Sequence, residues 1–462
     1  MLASATTTPT TKSATPARRE ASPSRRSFCA SLAGAAAAFA VAPLILPSRV
    51  LGRATAPGVA GAGPNGQIAI GVIGTGKQSY GLIDSLLKNS AARVVAVCDV
   101  DTTRRQHAKA TVDAKYGVSS GAAGCASFND HRELLALQGL DAVMIITPDH
   151  WHAAQIIDAC KAGKDIYCEK PLTLTLREGQ LVIDAVRSHK RVLQTGSQQR
   201  SEFDGRFRTA CEYIRSGRLG TLLSVHVGIG DPPFPCDLPE EASEAGLDWD
   251  RWLGPAPLRP YNSILSPRGV HQHYPAWRKY REYSGGYITD WGAHHYDITQ
   301  WALDADTAGP VAVIPPRLTD AIRGCKLIYS TPKGDVEVFH GGPPYGIIFT
   351  GTEGQIHVTR ESIASTPDSI LKQPLTDADV KLPRSPGHIQ NWLDCIRTRE
   401  KPICDVEVGS RSIACAQLCN IAYATDRSLK WDPTKWEFAG DADANKLRDY
   451  QRREGYELPK IT

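Results

Sequence analysis

Gln-Ile-Ala-Ile-Gly-Val-Ile-Gly-Thr-Gly, residues 67–76, is the stretch that decides the fold of this chain. Its first part is a short apolar run, which predicts a buried strand. Gly74 and Gly76 then allow backbone amides to approach a phosphate at the N-terminus of the following helix. The third glycine position of that fingerprint holds Ser79, so the motif is incomplete and needs support from the rest of the chain.

Strands and helices alternate from this stretch to Thr195. We predict further strands at 92–98, 140–146, 165–168 and 192–195, and helices at 81–88, 102–116, 130–138, 151–162 and 176–189. Such alternation indicates a parallel, doubly wound sheet. Residues 63–196 are therefore predicted to form a Rossmann dinucleotide-binding domain in an α/β protein.

The alternation stops after Gly196. Five strand-like stretches and a helix at 388–399 predict a C-terminal α/β domain with an open, largely antiparallel sheet, residues 197–440, followed by a tail at 441–462. The Pro- and Trp-rich segment 231–281 is too long for an idle loop, and we expect it to cover a substrate or form an interface. Its aromatic residues either stack on a sugar or belong to the core: Trp252, Tyr261, Trp277 and Tyr280.

The charge of the chain is concentrated at its start. Residues 1–62 hold seven of the 53 basic residues and one of the 49 acidic ones, which leaves 46 basic and 48 acidic residues and a net charge of −2 beyond them. No basic nucleic-acid surface is indicated. Apolar and charged contents of 42% and 22% are ordinary for a soluble globular protein.

The leader, residues 1–62, has the pattern of an export signal. Ser24-Arg25-Arg26-Ser27-Phe28 precedes an uncharged, Ala-rich stretch that runs to Ser48, as in twin-arginine signals. This predicts a periplasmic protein without stable membrane insertion after processing. The alternative is an N-terminal membrane anchor, against which Pro43 and Pro47 argue.

Twelve cysteines without a CxxC pair predict buried structural thiols. No spacing of His, Cys, Asp or Glu requires a metal, and we expect none.

Two positions suggest where chemistry occurs. Asp99 ends the second strand, 25 residues after Gly74, where an acid holds ribose hydroxyls and repels a 2′-phosphate, which favours NAD over NADP. Lys170 follows a strand, so it points into the ligand crevice, where it can bind a reacting hydroxyl or act as a base. The alternative is a surface lysine paired with Glu169.

Asp290 and His294 are four residues apart, which places both on one face of a helix. A carboxylate that orients an imidazole is the usual arrangement of a proton-shuttling histidine. The alternative is a structural histidine cluster.

These motifs occur together in a characteristic order. They are Gly74-Thr75-Gly76, Cys98-Asp99-Val100-Asp101, Thr147-Pro148-Asp149-His150-Trp151-His152, Cys168-Glu169-Lys170-Pro171 and Asp290-x-Gly292-x-His294. From Gln67 to about Trp436 the chain resembles the glucose–fructose oxidoreductase / inositol dehydrogenase (Gfo/Idh/MocA) family. The resemblance implies a homo-oligomer assembled through the C-terminal sheet.

The resemblance also implies roles for single residues. Lys170, His294 and Asp290 are expected to be catalytic, whereas Gln199, Arg200 and His295 are expected to contact substrate. Asp149 stands where many relatives have asparagine. The residues expected to bind the cofactor are Gly74, Thr75, Gly76, Lys77, Asp99, Arg104, Thr147, Pro148, His152, Glu169 and Lys170.

The implied function is NAD(P)-dependent oxidation of a sugar or polyol hydroxyl, with NAD as the favoured cofactor. Because free NAD is not expected outside the cytoplasm, an exported enzyme has to hold its nucleotide tightly. Two closed redox cycles fit this requirement. One couples oxidation of one sugar to reduction of another, and the other is an NAD-retaining glycosidase that oxidises, eliminates and reduces. A further alternative is a catalytically degenerate sugar-binding protein.

Overall fold

The computed structural model of this protein describes residues 66–118, 124–316 and 324–461. The predicted leader, residues 1–62, lies outside these ranges. Within them, no helix combines the length and the apolar character needed to cross a membrane.

Six described strands form a parallel sheet in the order β3-β2-β1-β4-β5-β6, which confirms the doubly wound prediction. The strands are β1 (Ile68–Ile73), β2 (Ala92–Cys98), β3 (Ala126–Phe128), β4 (Ala142–Ile145), β5 (Asp165–Cys168) and β6 (Leu193–Thr195). The helices that connect them are α1 (Ser79–Lys88), α2 (Thr102–Lys115), α3 (His131–Leu135), α4 (Asp149–Lys161) and α5 (Leu176–Ser188).

Strand β1 is the centre of this sheet. All six of its residues are buried, because helices cover both faces of a doubly wound sheet. Its neighbours β2 and β4 lead the chain away in opposite directions. A ligand crevice is expected at the carboxyl ends of the strands at such a switch point.

Nine described strands form the second sheet, in the order β13-β12-β11-β7-β10-β9-β8-β14-β15. Only the β7–β10 pair within it is parallel, which confirms the predicted largely antiparallel sheet. The strands are β7 (Leu222–Gly228), β8 (Ala312–Ile314), β9 (Lys326–Thr331), β10 (Gly334–Gly341), β11 (Gly346–Gly351), β12 (Gly354–Val358), β13 (Ile363–Thr366), β14 (Leu429–Asp432) and β15 (Glu437–Phe438).

Eight more α-helices lie in the described part of the chain after β6. They are α6 (Arg206–Arg215), α7 (Trp249–Leu253), α8 (Tyr287–Asp290), α9 (Gly292–Ala302), α10 (Ser369–Lys372), α11 (His388–Thr398), α12 (Val406–Thr425) and α13 (Ala442–Lys446). Helix α11 packs Trp392 and Ile396 into the core of the first sheet beside Tyr167, so the chain returns to the Rossmann sheet late in the sequence.

Helix α12 is the longest helix described and was missing from the sequence prediction. Thirteen of its twenty residues are buried, because it packs between α9 and α5. A helix buried on most of its sides carries no polar stripe, and so it lacks the periodic pattern that identifies a surface helix.

The segment 231–281, which we call the strap, lies across the first domain at the end of β2. Asp248 N–H donates to the Val100 carbonyl at 2.9 Å, and Thr102 N–H donates to the Gly246 carbonyl at 3.0 Å. A small apolar cluster stabilises the strap from within: Trp252, Leu253, Ala256, Leu265, Trp277, Tyr280 and Tyr283. The four aromatic residues singled out in the sequence, Trp252, Tyr261, Trp277 and Tyr280, are therefore buried core residues, although Trp252 and Trp277 also line the cavity described below.

Eleven cysteines fall in the described ranges, and all are free thiols. Ten of them are buried and Cys236 is half-buried, which agrees with the predicted structural role.

Candidate active site

A cavity of about 500 Å³ runs from the glycine-rich turn, under the strap, to Lys170, Asp290 and His294. Its volume lies in the range of ligand pockets. The first domain, the strap and the second domain all contribute lining residues. The glycine-rich turn and the group of Lys170, Asp290 and His294 therefore line the same cavity.

The turn between β1 and α1 is built for close approach of a ligand. Gly74 has φ +89°, and a Cβ there would lie 2.5 Å from the Ile146 carbonyl oxygen, so only glycine fits. Gly76 lines the cavity, and a Cβ there would meet nothing within 4 Å. The Ser79 hydroxyl donates to the Gly76 carbonyl at 2.8 Å, which accommodates serine at the third fingerprint position.

Asp99 is held in place at the end of β2. Its Oδ2 accepts from Thr75 N–H at 2.7 Å and from the Thr75 hydroxyl at 3.0 Å, while its Oδ1 accepts from Asp101 N–H at 2.9 Å. Asp99 lines the cavity, whereas Thr75 is buried behind it. Thr75 therefore orients the acid rather than facing the ligand.

Lys77 and Arg104 line the same end of the cavity and both contact the strap. Lys77 Nζ donates to Gln272 Oε1 at 3.3 Å. Arg104 donates to the Gly269 carbonyl and to the Ser266 hydroxyl, each at 3.1 Å, and also to the Pro267 carbonyl. Arg104 thereby ties the strap to the first domain.

Thr147 and Pro148, which follow β4, lie beside the loop of Lys170 and Pro171, which follows β5. Pro148 precedes α4, and the Thr147 hydroxyl donates to Gln155 Oε1 at 2.7 Å. His152 is buried, with Nδ1 2.7 Å from the Pro171 carbonyl oxygen and Nε2 2.9 Å from the Thr147 carbonyl oxygen. Burial lowers the pKa of His152 to about 4. The carbonyl oxygens of Pro171 and Thr147 oppose this shift, and the ring links the two loops rather than lining the cavity.

Glu169 lines the cavity as a buried carboxyl. Its Oε1 accepts from the Tyr167 hydroxyl at 3.2 Å and from Gln198 Nε2 at 3.1 Å. Burial raises the pKa of Glu169 above its usual range.

Lys170 forms an ion pair with Asp290 and does not pair with its neighbour Glu169. Its Nζ lies 2.6 Å from Asp290 Oδ1 and donates to the Asp290 carbonyl at 3.0 Å. Arg278 Nε lies 3.4 Å from the same Oδ1. Burial opposes ionisation of Asp290, but Lys170 and Arg278 together lower its pKa below the usual range.

The predicted Asp290–His294 pair is wrong in its geometry. Helix α8 ends at Asp290 and α9 begins at Gly292, so the two residues do not share one continuous helix. Asp290 binds Lys170 instead. His294 lines the cavity, and its buried Nδ1 has no hydrogen-bond partner among the described residues. Burial, with the charges of Lys170 and Arg360, keeps the pKa of His294 well below its usual range, so the ring is neutral.

The structure places the three predicted substrate residues behind the cavity wall, since none of their side chains lines the cavity. Gln199 is buried, and its Nε2 donates to the His294 carbonyl at 3.3 Å. Arg200 is buried in ion pairs with Asp297 and Asp306, at 2.8 and 2.7 Å. His295 is buried too, and burial lowers its pKa to about 3.

Sequence reasoning missed several residues of the cavity wall, among them Arg278, Trp291, Arg360 and Asp149. The sequence signal that could have identified Arg278 is its position in segment 231–281, which was expected to cover a substrate. Arg360 lies in a hairpin turn with no motif around it. Asp149 was noted as a departure from the family pattern, and burial, with Asp290 nearby, raises its pKa to about 7.

A metal centre is not indicated by the described residues, since no group of three or more His, Cys, Asp or Glu side chains could hold an ion there.

Two family models match this chain. The model described as oxidoreductase family, NAD-binding Rossmann fold, matches residues 68–197. The model described as oxidoreductase family, C-terminal alpha/beta domain, matches residues 236–458. The chain belongs to the Gfo/Idh/MocA oxidoreductase family. The NAD-binding description of its first domain confirms the predicted cofactor.

Individual relatives match this family member over part of their length. Inositol 2-dehydrogenase of Burkholderia cenocepacia is 34% identical over 161 residues, which is 34% of this chain and 44% of that protein. The chain thus spans less than half the length of that relative.

Solved structures share the fold. The WlbA dehydrogenase from Bordetella pertussis, in complex with NADH and UDP-GlcNAcA, has a TM-score of 0.54 at 18% identity. The aldose-aldose oxidoreductase from Caulobacter crescentus, complexed with glycerol, has a TM-score of 0.54 at 17% identity. Both comparisons cover 79% of this chain and 99% of the other.

Proposed function

We propose that this protein oxidises a hydroxyl group of a sugar or polyol with NAD, which it holds tightly. The observation that carries the proposal is the ion pair of Lys170 and Asp290 beside neutral His294, at the opposite end of the cavity from the glycine-rich turn. The family and the named activity of the inositol 2-dehydrogenase relative support the substrate class.

The residues around the turn fit a dinucleotide. Gly74 and Gly76 leave the backbone open to a pyrophosphate at the start of α1, and Asp99 is fixed where it can accept from ribose hydroxyls. Lys77 adds a positive charge at the same end. When bound, NAD accepts a hydride from the carbon that carries the substrate hydroxyl.

The residues at the other end bind the hydroxyl and take its proton. Lys170 Nζ, held by Asp290, donates a hydrogen bond to the substrate oxygen and stabilises the negative charge that develops there. His294 is neutral and lines the cavity, so a ring nitrogen can accept a hydrogen bond from the substrate hydroxyl. Burial and the nearby cations weaken the ring as a base, and it takes the proton as the hydride leaves. Gln199 fixes the backbone of His294 from behind.

Replacement of Lys170 tests this assignment. We expect Lys170→Ala to lower kcat by about 100- to 10,000-fold, because a positioned proton-transfer or charge-stabilising group contributes that much. NADH formation is followed with a panel that contains myo-inositol, D-glucose and D-glucuronate. The matched control is Lys88→Ala, since Lys88 is a lysine of the exposed surface. Unchanged turnover in Lys170→Ala would refute the proposed site.

Tight retention of the nucleotide is supported by the strap. It covers the end of the cavity near Asp99 and is tied down by Arg104. A covered nucleotide leaves slowly, which suits an enzyme that works outside the cytoplasm.

We further propose that the protein is exported to the periplasm by the twin-arginine route and assembles through the second sheet. Export rests on Ser24-Arg25-Arg26-Ser27-Phe28, which lies outside the described residues. Assembly rests on the family resemblance. Periplasmic fractionation and light scattering of the purified protein test the two statements, and a cytoplasmic monomer would contradict both.

A further inference from the structure

The cations that line the cavity differ in whether a carboxylate neutralises them. Lys170 and Arg278 share Asp290, and Arg104 pairs with Asp101 at 3.4 Å. Two more arginines share Asp130: Arg132 and Arg251. Among the described residues, Lys77 and Arg360 are the lining cations without an ion pair to a carboxylate. Lys77 belongs to the nucleotide end, so Arg360 is the unexplained charge.

The guanidinium of Arg360 is held firmly. Arg360 lies in the turn between β12 and β13, and its Nε donates to Gln199 Oε1 at 3.3 Å. Its central carbon lies 4.7 Å from the ring centroid of Trp291 and 4.8 Å from that of Phe203. The aromatic rings and the amide fix the guanidinium plane, while its two Nη groups have no hydrogen-bond partner in the described part of the protein.

Arg360 lies at the reacting end of the cavity. Its charge is one of the causes that lower the pKa of His294, after burial and Lys170. Trp291, on which it stacks, separates Asp290 from α9. Burial lowers the pKa of Arg360 itself, although the negative charges of Glu361, Asp290 and Glu169 oppose this. An anionic group of a ligand at this position would neutralise the positive charge of Arg360.

We propose that Arg360 binds an anionic group of the substrate, a carboxylate or a phosphate, so that the enzyme acts on charged sugars in preference to neutral ones. The inference rests on the proposed oxidation of a sugar hydroxyl and narrows its substrate class. Two free Nη groups on a fixed plane suit the bidentate recognition of two anionic oxygens. Gln199 is hydrogen-bonded both to Arg360 and to the His294 carbonyl. It therefore fixes the position of the anion subsite relative to the residue that faces the reacting hydroxyl.

The test compares D-glucose, D-glucuronate and D-glucose 6-phosphate, together with the corresponding galactose series. Wild-type protein, Arg360→Gln, Arg360→Lys and the control Arg384→Gln are used as full chains. Arg384 is an exposed arginine for which no ion pair is described. Turnover is followed by NADH formation, and binding by tryptophan fluorescence in the presence of NAD. The nucleotide content of each variant verifies that it is folded.

We expect the wild-type protein to prefer charged sugars over D-glucose. Comparison of D-glucuronate with D-glucose 6-phosphate then shows whether the subsite binds a carboxylate or a phosphate. Arg360→Gln should lower kcat/KM for the preferred charged sugar by about 10- to 100-fold, mainly through KM, because a charge-assisted hydrogen bond is lost. Arg360→Lys should restore part of the loss. Neutral sugars should be affected less than charged ones, and through kcat rather than KM, because the charge of Arg360 also acts on the pKa of His294. Arg384→Gln should show little change.

Other outcomes separate the two proposals. A wild-type preference for neutral sugars, or an equal loss for charged and neutral sugars in Arg360→Gln, would overturn the anion subsite. Failure of wild type to bind any charged sugar would overturn it too. If the charged sugars bind in an Arg360-dependent way and none is oxidised, the subsite stands and the proposed oxidation fails.

Discussion

Asp149 is a carboxyl that burial keeps close to neutral at the wall of the cavity. Only 2% of the residue is exposed, and burial raises its pKa to about 7. The folded protein therefore retains a proton that the unfolded chain releases near pH 4. Folded-state stability falls as the pH rises from about 4 to about 7, because the folded state binds more protons over that window.

Asp149→Asn should remove this pH dependence. We expect the variant to be more stable than wild type at pH 8, on the order of 3 kcal/mol, and equally stable at pH 4. Thermal unfolding at the two pH values measures the difference. The control is Asp84→Asn, which removes an exposed carboxylate. Equal stabilities of wild type and Asp149→Asn at pH 8 would show that Asp149 is not held neutral.

Single residues differ in how far the sequence could predict them. The positions of Lys170 and Gly74 at the cavity were predictable because each residue lies just after a strand of the first sheet. The Asp290–His294 pair was not, because Asp290 binds Lys170 and Arg278, which come from other parts of the chain, and the helix assignment is interrupted at Trp291. Arg360 reaches the cavity from a distant hairpin, and only the tertiary fold brings it there.

At the scale of elements, the strap covers the end of the cavity where the nucleotide is proposed to bind. Residues 231–281 cross the end of β2 and are tied to α2 through Arg104. Their aromatic cluster is internal, so the strap is a small packed unit rather than a loose loop. A covering element of this kind slows ligand release when its contacts hold it closed.

Loosening the strap should release the nucleotide faster. We expect Arg104→Met to raise the NADH dissociation rate by about 10-fold or more, because charge-assisted hydrogen bonds to the strap are lost. Release is measured by displacing bound NADH with excess NAD and following fluorescence. Since Arg104 also lines the cavity, Ser266→Ala provides the second variant, and it should act in the same direction with a smaller effect.

The control for this experiment is Arg177→Met, at an exposed position of α5. If neither Arg104→Met nor Ser266→Ala changes the dissociation rate, the strap does not retain the nucleotide.

Short apolar strands bounded by turns were predictable, whereas a long helix buried on most sides was not. Strands β2 and β5 were predicted with the bounds that are observed, Ala92–Cys98 and Asp165–Cys168. Helix α12 escaped prediction because most of its residues are buried. The packing of α11 against the first sheet could not be predicted either, because only the tertiary fold brings this late segment of the chain back to the first domain.

At the scale of the whole molecule, the cavity depends on both sheets and on the junction between them. Arg200, buried between Asp297 and Asp306, lies on the chain that leads from the first sheet to the second. Lys170 comes from the first domain and Asp290 from the second, so the pair that carries the proposed chemistry forms only when the domains meet. The proposed catalysis therefore requires both domains in their assembled arrangement.

The identity of the nucleotide that the purified protein carries tests this account most directly. The full chain is purified without added nucleotide and denatured, and the released compounds are identified and counted. Near-stoichiometric NAD or NADH is the predicted result, because the cavity fits a dinucleotide and the strap covers it. A protein that carries no nucleotide and binds NAD neither tightly nor at the cavity would contradict the account.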